Sequence, residues 1–213
     1  METFENIKTR RSVHDYDDGE VTDEELRKIF DAVRWAPSSY NLQPWEFLVV
    51  RDDEGQERLK ECAYGQEHVT EASAAIVVFG NLDRGAHAEE VFSDMAEKGY
   101  RDEESAEEMI ERMEEEDPEG NEEWAMQSTI MAAMTLMYAA WEIGLATCPM
   151  GGWDGDMINE EFDVPENYYP VLMLTLGHPD EDGDELSRER KWRRDAEDMV
   201  HLEDFEDGSG FDT

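Results

Sequence analysis

Eight of the chain's 18 basic residues fall in two short windows: Lys8, Arg10 and Arg11 in IKTRRSVHDY, and Arg188, Arg190, Lys191, Arg193 and Arg194 in SRERKWRR. In a chain with 57 Asp and Glu, such clustering reverses the local potential. A guanidinium is a planar fork whose N–H groups match phosphate oxygens, and Ser12 adds a hydroxyl donor beside the first window. The chemistry these residues suit is capture of a phosphate-bearing anion. The competing reading, that each window only pairs with abundant carboxylates, weakens when the two are taken together.

Side-chain catalysts are not evident. The five His, at positions 14, 68, 87, 178 and 201, are dispersed, and there is no HExxH, GxSxG, Walker-type or GxGxxG pattern. Pairs of Asp and Glu are too frequent to mark an acid–base couple. Cys62 and Cys148 are far apart with no CxxC partner, so neither a disulfide framework nor a thiolate metal site is indicated, and no metal is expected. One stretch stands out for its lack of charge. PSSYNLQPWEF, residues 37–47, sets hydroxyls and amides at the mouth of an apolar run.

The elements that must position these residues are readable in part. Thr22 followed by Glu25 forms a capping box, with Val21 and Leu26 as a hydrophobic staple, so a helix starts near Asp23. Leu26, Ile29, Phe30 and Val33 form its buried face, and Pro37 marks its stop. Three apolar runs predict strands: Trp45 to Asp52, Ala74 to Leu82, and Tyr169 to Gly177, with a polar helix around 54–64. None alternates cleanly, which predicts a sheet covered on both faces. Residues 122–145 read as a helix apolar nearly all round, stopped at Gly144, and greasy enough to be a subunit interface. Trp45, Trp124, Trp141 and Trp153 are expected in core or interface packing, and Met126, Met131, Met134 and Met137 as gap-fillers. Residues 86–118 read as an acidic helical excursion, a lid or insertion, and 195–213 as a C-terminal arm.

Composition narrows the class. A formal net charge of -39 makes nucleic acid and anionic membranes poor partners. At molar salt the screening length falls to roughly 3 Å, which relieves the self-repulsion, so a cytoplasmic protein of a salt-accumulating halophile is expected. Only five of the basic residues are Lys, which agrees with that. No secretory core opens the chain, and the longest apolar stretch is too short for a bilayer.

RRSVHDY, PSSYNLQPWEF, GLATCPMGGWD, and LGHP followed by KWRR occur in an order and spacing that resemble the FMN-dependent nitroreductase family, across Arg10 to Arg194. The resemblance implies a single α+β domain over 1–213, with a mixed β-sheet flanked by helices, built as an intertwined homodimer. It implies that Arg10, Arg11, Ser12, Lys191 and Arg193 hold the FMN phosphate and ribityl chain. Pro37, Ser38, Ser39 and Asn41 would reach the flavin from the neighbouring subunit. Pro149, Met150, Gly151 and Gly152 would lie along the ring, with the Gly152 backbone supporting flavin N5. His14 stands where many relatives carry Lys or Arg, and Gln66 is the polar residue offered to the flavin edge. The implied activity is hydride transfer from NADH or NADPH through FMN to a nitroaromatic, quinone or similar acceptor. The alternatives are a same-fold enzyme with other flavin chemistry, such as reductive dehalogenation or flavin consumption, or a non-catalytic flavin-binding regulator.

Overall fold

Thr22 opens the first long helix by local chemistry alone. Its hydroxyl accepts the Glu25 amide at 3.2 Å, and the Glu25 carboxylate accepts the Thr22 amide at 2.8 Å, the reciprocal pair expected from the spacing. The computed structural model describes residues 1–180 and 185–202. In chain order the elements are α1 (Thr3–Thr9), α2 (Asp23–Val33), β1 (Trp45–Val50), α3 (Asp53–Cys62), α4 (His68–Glu71), β2 (Ala74–Asn81), α5 (Ala88–Glu97), α6 (Glu103–Glu114), α7 (Glu122–Glu142), β3 (Ala146–Met150), α8 (Gly155–Glu161) and β4 (Tyr168–Gly177). Helix α2 ends at Val33, before Pro37, because Trp35 and Ala36 fold back to the carbonyls of Ala32 and Val33 in a tight turn.

The strands lie in the order β1-β2-β4-β3, and every neighbouring pair is antiparallel. The α+β class stands, but the expected mixed pairing is reduced to one isolated parallel bridge, Ser12 to Thr147. β3 was not among the expected strands. It is five residues long and contains Pro149, which is tolerated because β3 is the outermost strand of the sheet and the N-terminal segment bridges its outer edge at Thr147, two residues before the proline.

Both faces of the sheet are covered, so the strand runs lack alternation for the expected reason. α2 and α7 lie on one face, where Ile29, Val33, Ala132, Leu136 and Leu174 are buried together. On the other face α3 and α8 contribute Leu59, Cys62 and Ile158 to a second cluster with Val77 and Met173. All eight residues of β2 are buried. Gln56, also buried, donates to the carbonyls of Val69 and Ala72 and so fixes α4 against α3.

α7 is apolar all round but covered on one side. Ala125, Ala132, Ala133 and Ala140 are buried, whereas Met126, Ile130 and Met131 are 41%, 43% and 38% exposed. The helix stops at Gly144, in the left-handed region at φ 87°. The acidic 86–118 stretch is better built than an open excursion: α5 and α6 bury Val91, Phe92, Met109 and Met113 against each other and against Leu42. Of the expected C-terminal arm, the structure describes a short turn at Ala196–Asp198, and residues 203–213 lie outside the described residues. Among the described residues no helix is long and apolar enough to cross a membrane.

Candidate functional site

The N-terminal segment after α1 runs beside the β3–β4 edge of the sheet. Val13 donates to the Thr147 carbonyl at 3.2 Å, Asp17 to that of His178 at 3.0 Å, and the Tyr16 hydroxyl meets Thr175 Oγ1 at 2.7 Å. Gly177 has no side chain because the Tyr16 ring occupies the place: a Cβ there would stand 2.7 Å from Tyr16 Cδ1. Burial raises the Tyr16 phenol further above its ordinary range, so the hydroxyl stays protonated.

This path delivers Arg10, Arg11 and Ser12 to the basic residues near the C-terminus. Arg11 donates from Nη1 to the Glu185 carbonyl at 3.1 Å and from Nη2 to the Arg188 carbonyl at 2.6 Å. Arg190 answers with Nη1 to the Thr9 carbonyl at 3.3 Å and Nη2 to the Arg10 carbonyl at 2.9 Å. The two windows, remote in sequence, are thus clasped by reciprocal guanidinium–carbonyl bonds. A cavity of about 190 Å3 lies between them, lined by Arg10, Arg11, Ser12, Arg190, Lys191 and Arg193, with Arg188, Glu185 and Glu189 at its wall.

The partners matter as much as the distances. Carbonyls accept from Arg11 and Arg190 without neutralising them, and among the described residues Arg10, Arg11, Arg190, Lys191 and Arg193 form no ion pair with a carboxylate. In a chain of net charge -39 this isolation requires a specific arrangement. Partial burial and the neighbouring Arg11, Arg193 and Arg10 lower the affinity of Arg190 for its proton, the mark of concentrated positive charge. Arg10 Nη1 is buried without a hydrogen-bond partner. Such an orphaned donor is costly in a folded protein unless an anion completes it.

β3 brings the Pro149–Gly152 segment to the same corner. Cys148 Sγ lies 3.3 Å from His14 Nε2, and the His14 and His68 rings meet edge to face at 5.3 Å. Gln66 donates from Nε2 to the Gly152 carbonyl at 2.6 Å and to that of Ala63 at 3.0 Å, so it holds the glycine backbone in place. A Cβ at Gly151 would meet nothing within 4 Å, and one at Gly152 would press on Gln66 at 3.2 Å. The pair therefore leaves an open shelf that a planar ligand could approach at backbone distance.

Burial, with Glu185 adding to it, pushes the Cys148 thiol up to about 11, although Arg10 and Lys191 oppose the shift. The folded value lies above the ordinary 9.0, so folding favours the protonated thiol. This contribution is fully present below about pH 9 and is lost as pH rises towards 11. Urea denaturation in molar KCl is expected to show stability falling over that window more steeply in the native protein than in Cys148→Ser. Parallel curves would contradict it.

The loop Pro37–Asn41 is not part of this corner. It is held by Ser39, whose amide donates to Ser128 Oγ on α7 at 3.2 Å, by Ser38 Oγ accepting the Gln43 amide at 3.0 Å, and by Tyr40 against Phe92. Tyr40, Asn41 and Gln43 all take positive φ, at 54°, 61° and 49°, a strained run that these anchors over-determine. The loop enters β1 where Trp45 pairs with Gly80, whereas Ser12 bridges Thr147, which faces Leu176 and thence Ala74 at the opposite end of β2. Six residues along a strand and three strand spacings across separate Trp45, at the exit of the loop, from Thr147, beside Ser12, by roughly 25 Å. One chain does not bring its loop to its own cationic pocket.

Of the expected site residues, the structure gathers Arg10, Arg11, Ser12, Lys191 and Arg193, sets His14 beside Cys148 ahead of Pro149–Gly152, and couples Gln66 to Gly152. It leaves Pro37, Ser38, Ser39 and Asn41 apart. Sequence reasoning missed Glu185, since one acid among 57 carries no signal, and missed the clasp made by Arg190, although that residue lay in a marked window. A larger groove of about 360 Å3 beside β1, lined by Phe47, Phe79, Phe162 and Tyr168, has no basic side chain and does not suit an anion.

The sequence profile described as the Nitroreductase family matches residues 7–178. YdgI of Bacillus subtilis, named for an NAD(P)H nitroreductase, is 35% identical over 187 residues, covering 84% of this chain and 90% of YdgI. YodC of the same organism, named likewise, is 33% identical over 180 residues, covering 82% and 88%. A crystal structure from Exiguobacterium sibiricum, described as a nitroreductase in complex with FMN, superposes with a TM-score of 0.80 at 29% identity, covering 94% of this chain and 96% of that one.

Proposed function

Since the chain belongs to the nitroreductase family, we propose that it is an FMN-dependent oxidoreductase that takes reducing equivalents from NADH or NADPH and passes them to a nitroaromatic, quinone or similar small acceptor. The observation that carries this reading is the cationic pocket. Arg11 and Arg190 donate to carbonyls, which do not neutralise them, and the buried, unpartnered Nη1 of Arg10 is a donor that a phosphate would complete. The FMN in the Exiguobacterium relative supports the same assignment.

Arg10, Arg11, Ser12, Lys191 and Arg193 would hold the phosphate and the polyol chain, and Pro149, Met150, Gly151 and Gly152 would line the ring. When bound, the flavin supplies the hydride chemistry at N5. The protein's own task is orientation. Gln66 fixes the Gly152 carbonyl, which sets the direction of the neighbouring amides, and the bare Gly151 shelf admits the ring to backbone distance. No side chain is required as an acid or base, in accord with the protonated Cys148. Donor and acceptor would then use one open face in turn, giving ping-pong kinetics.

We place the complete site in a homodimer, in which Pro37, Ser38, Ser39 and Asn41 of each chain reach the other chain's pocket. The 25 Å separation within one chain and the exposed Met126, Ile130 and Met131 of α7 support this. The acidity supports a cytoplasmic setting in concentrated salt.

The protein purified in molar KCl is expected to be yellow, to bleach anaerobically with NADH or NADPH, and to recover its colour on adding a quinone. A colourless protein that FMN does not reconstitute would sink the proposal, and yellow protein that does not bleach would reduce it to flavin binding without turnover.

A further inference from the structure

Glu185 is an acidic residue in the wall of the cationic pocket, and its carboxylate is fully engaged. Oε1 lies 2.8 Å from His14 Nδ1, and Oε2 accepts the amides of His14 at 2.8 Å and Asp15 at 3.2 Å. Its own carbonyl accepts Arg11 Nη1. The side chain is only 14% exposed. Burial alone would raise its proton affinity, but the bonds from the His14 ring and from the two amides outweigh it and hold the carboxyl below the ordinary range. Glu185 is therefore ionised at neutral pH, and an ionised carboxylate only accepts hydrogen bonds.

Two consequences follow for His14. The ring nitrogen facing Glu185 must carry a proton, so Nδ1 is the donor. The other nitrogen, Nε2, faces Cys148 Sγ at 3.3 Å, where a protonated thiol can donate to its lone pair. Both nitrogens are spoken for. Through His14 and Asp15 the same carboxylate also ties the segment carrying Arg188, Arg190 and Lys191 to the N-terminal segment that carries Arg10 and Arg11, next to the Arg11 and Arg190 clasp.

We propose that Glu185 is the positioning residue of this pocket: it fixes the His14 ring with its proton on Nδ1 and docks the basic C-terminal segment onto the N-terminal one. Its consequence for the flavin rests on the FMN reading above, whereas its hold on His14 does not. A flavin in the pocket would meet a carboxylate–imidazole pair. The negative charge would disfavour the reduced, anionic flavin and lower its potential.

Glu185→Gln keeps the size and removes the charge. Its amide nitrogen, placed at Oε1, donates to Nδ1 and drives the His14 proton to Nε2, while the amide oxygen still accepts the backbone N–H groups. Long-range 15N–1H spectra of the full chain labelled at histidine, in molar KCl at mildly alkaline pH, read the tautomer directly. The Nδ1–H form is expected in the native protein and the Nε2–H form in Glu185→Gln. An Nε2–H ring in the native protein, or one pattern in both, overturns the hold on His14. Glu185→Ala loses both links and is expected to bind inorganic phosphate about tenfold more weakly than Glu185→Gln, which equally lacks the charge but keeps an oxygen for the two amides. Equal phosphate affinity in Glu185→Ala and Glu185→Gln, with circular dichroism unchanged, overturns the docking role. After reconstitution with FMN, the flavin potential of Glu185→Gln is expected to shift positive. A tautomer that switches without any shift in potential would count against flavin in this pocket and leave Glu185's hold on the ring intact.

Discussion

Replacing Arg10 and Arg193 together with Gln is expected to weaken FMN binding at least about a hundredfold while leaving riboflavin affinity nearly unchanged, because two charge-assisted contacts are worth roughly 3 kcal/mol. The reasoning starts from Arg10. Among the described residues its buried Nη1 has no partner and its guanidinium forms no ion pair, so the group is poised for an anion. Among the described residues Arg193 Nη1 donates to carbonyls of its own segment, those of Lys191 and Trp192, which leave its charge available. Riboflavin has the same ring and polyol but lacks the phosphate, so it separates loss of the anion site from general damage. Equilibrium dialysis in molar KCl measures both. Equal weakening of the two flavins would mean that the double variant disturbs the fold, and unchanged FMN affinity would mean that the windows serve the fold alone.

A mixture of two inactive variants is expected to regain activity. Arg10→Gln with Arg193→Gln spoils the cationic pocket and spares the loop; Ser39→Asp with Asn41→Asp does the reverse, placing negative charge where an anionic flavin would come. If each site combines the pocket of one chain with the loop of the other, a heterodimer of the two variants has one intact site and one doubly spoiled site. Random reassociation makes half the dimers mixed, so about a quarter of the native FMN sites and of the turnover should return after the variants are unfolded and refolded together. The basis is the separation of roughly 25 Å between the two groups of residues across the sheet. No recovery, with dimers formed as shown by light scattering, would mean that loop and pocket do not share a site.

Local structure was legible wherever a few neighbouring residues settle it. The Thr22–Glu25 box set the start of α2 because both bonds lie within four residues, and Gly144 marked the end of α7 because that position takes a left-handed backbone. The three long strands were legible because a sheet covered on both faces needs continuous apolar runs. β3 was not, since five residues with a proline look like a loop until β4 supplies their partner. The acidic block hid its own core, because Val91, Phe92, Met109 and Met113 are sparse along the chain and converge only when α5 and α6 pair.

By itself, then, the sequence determined the chemistry on offer: two guanidinium-rich windows in an acidic chain, a glycine pair after Pro149, an uncharged loop before β1, and no spacing that singles out an acid–base pair. Only the tertiary structure decided which of these meet. Arg11 and Arg190 find carbonyl partners on segments more than 170 positions away, and Glu185 finds His14 at 171. Such pairings are fixed by the register of β3 on β4 and the course of the N-terminal segment beside them, and residue type alone carries no record of them. The same register carries the Pro37–Asn41 loop to the far corner of the sheet, so the residues that most resembled part of a binding site are, within one chain, remote from it.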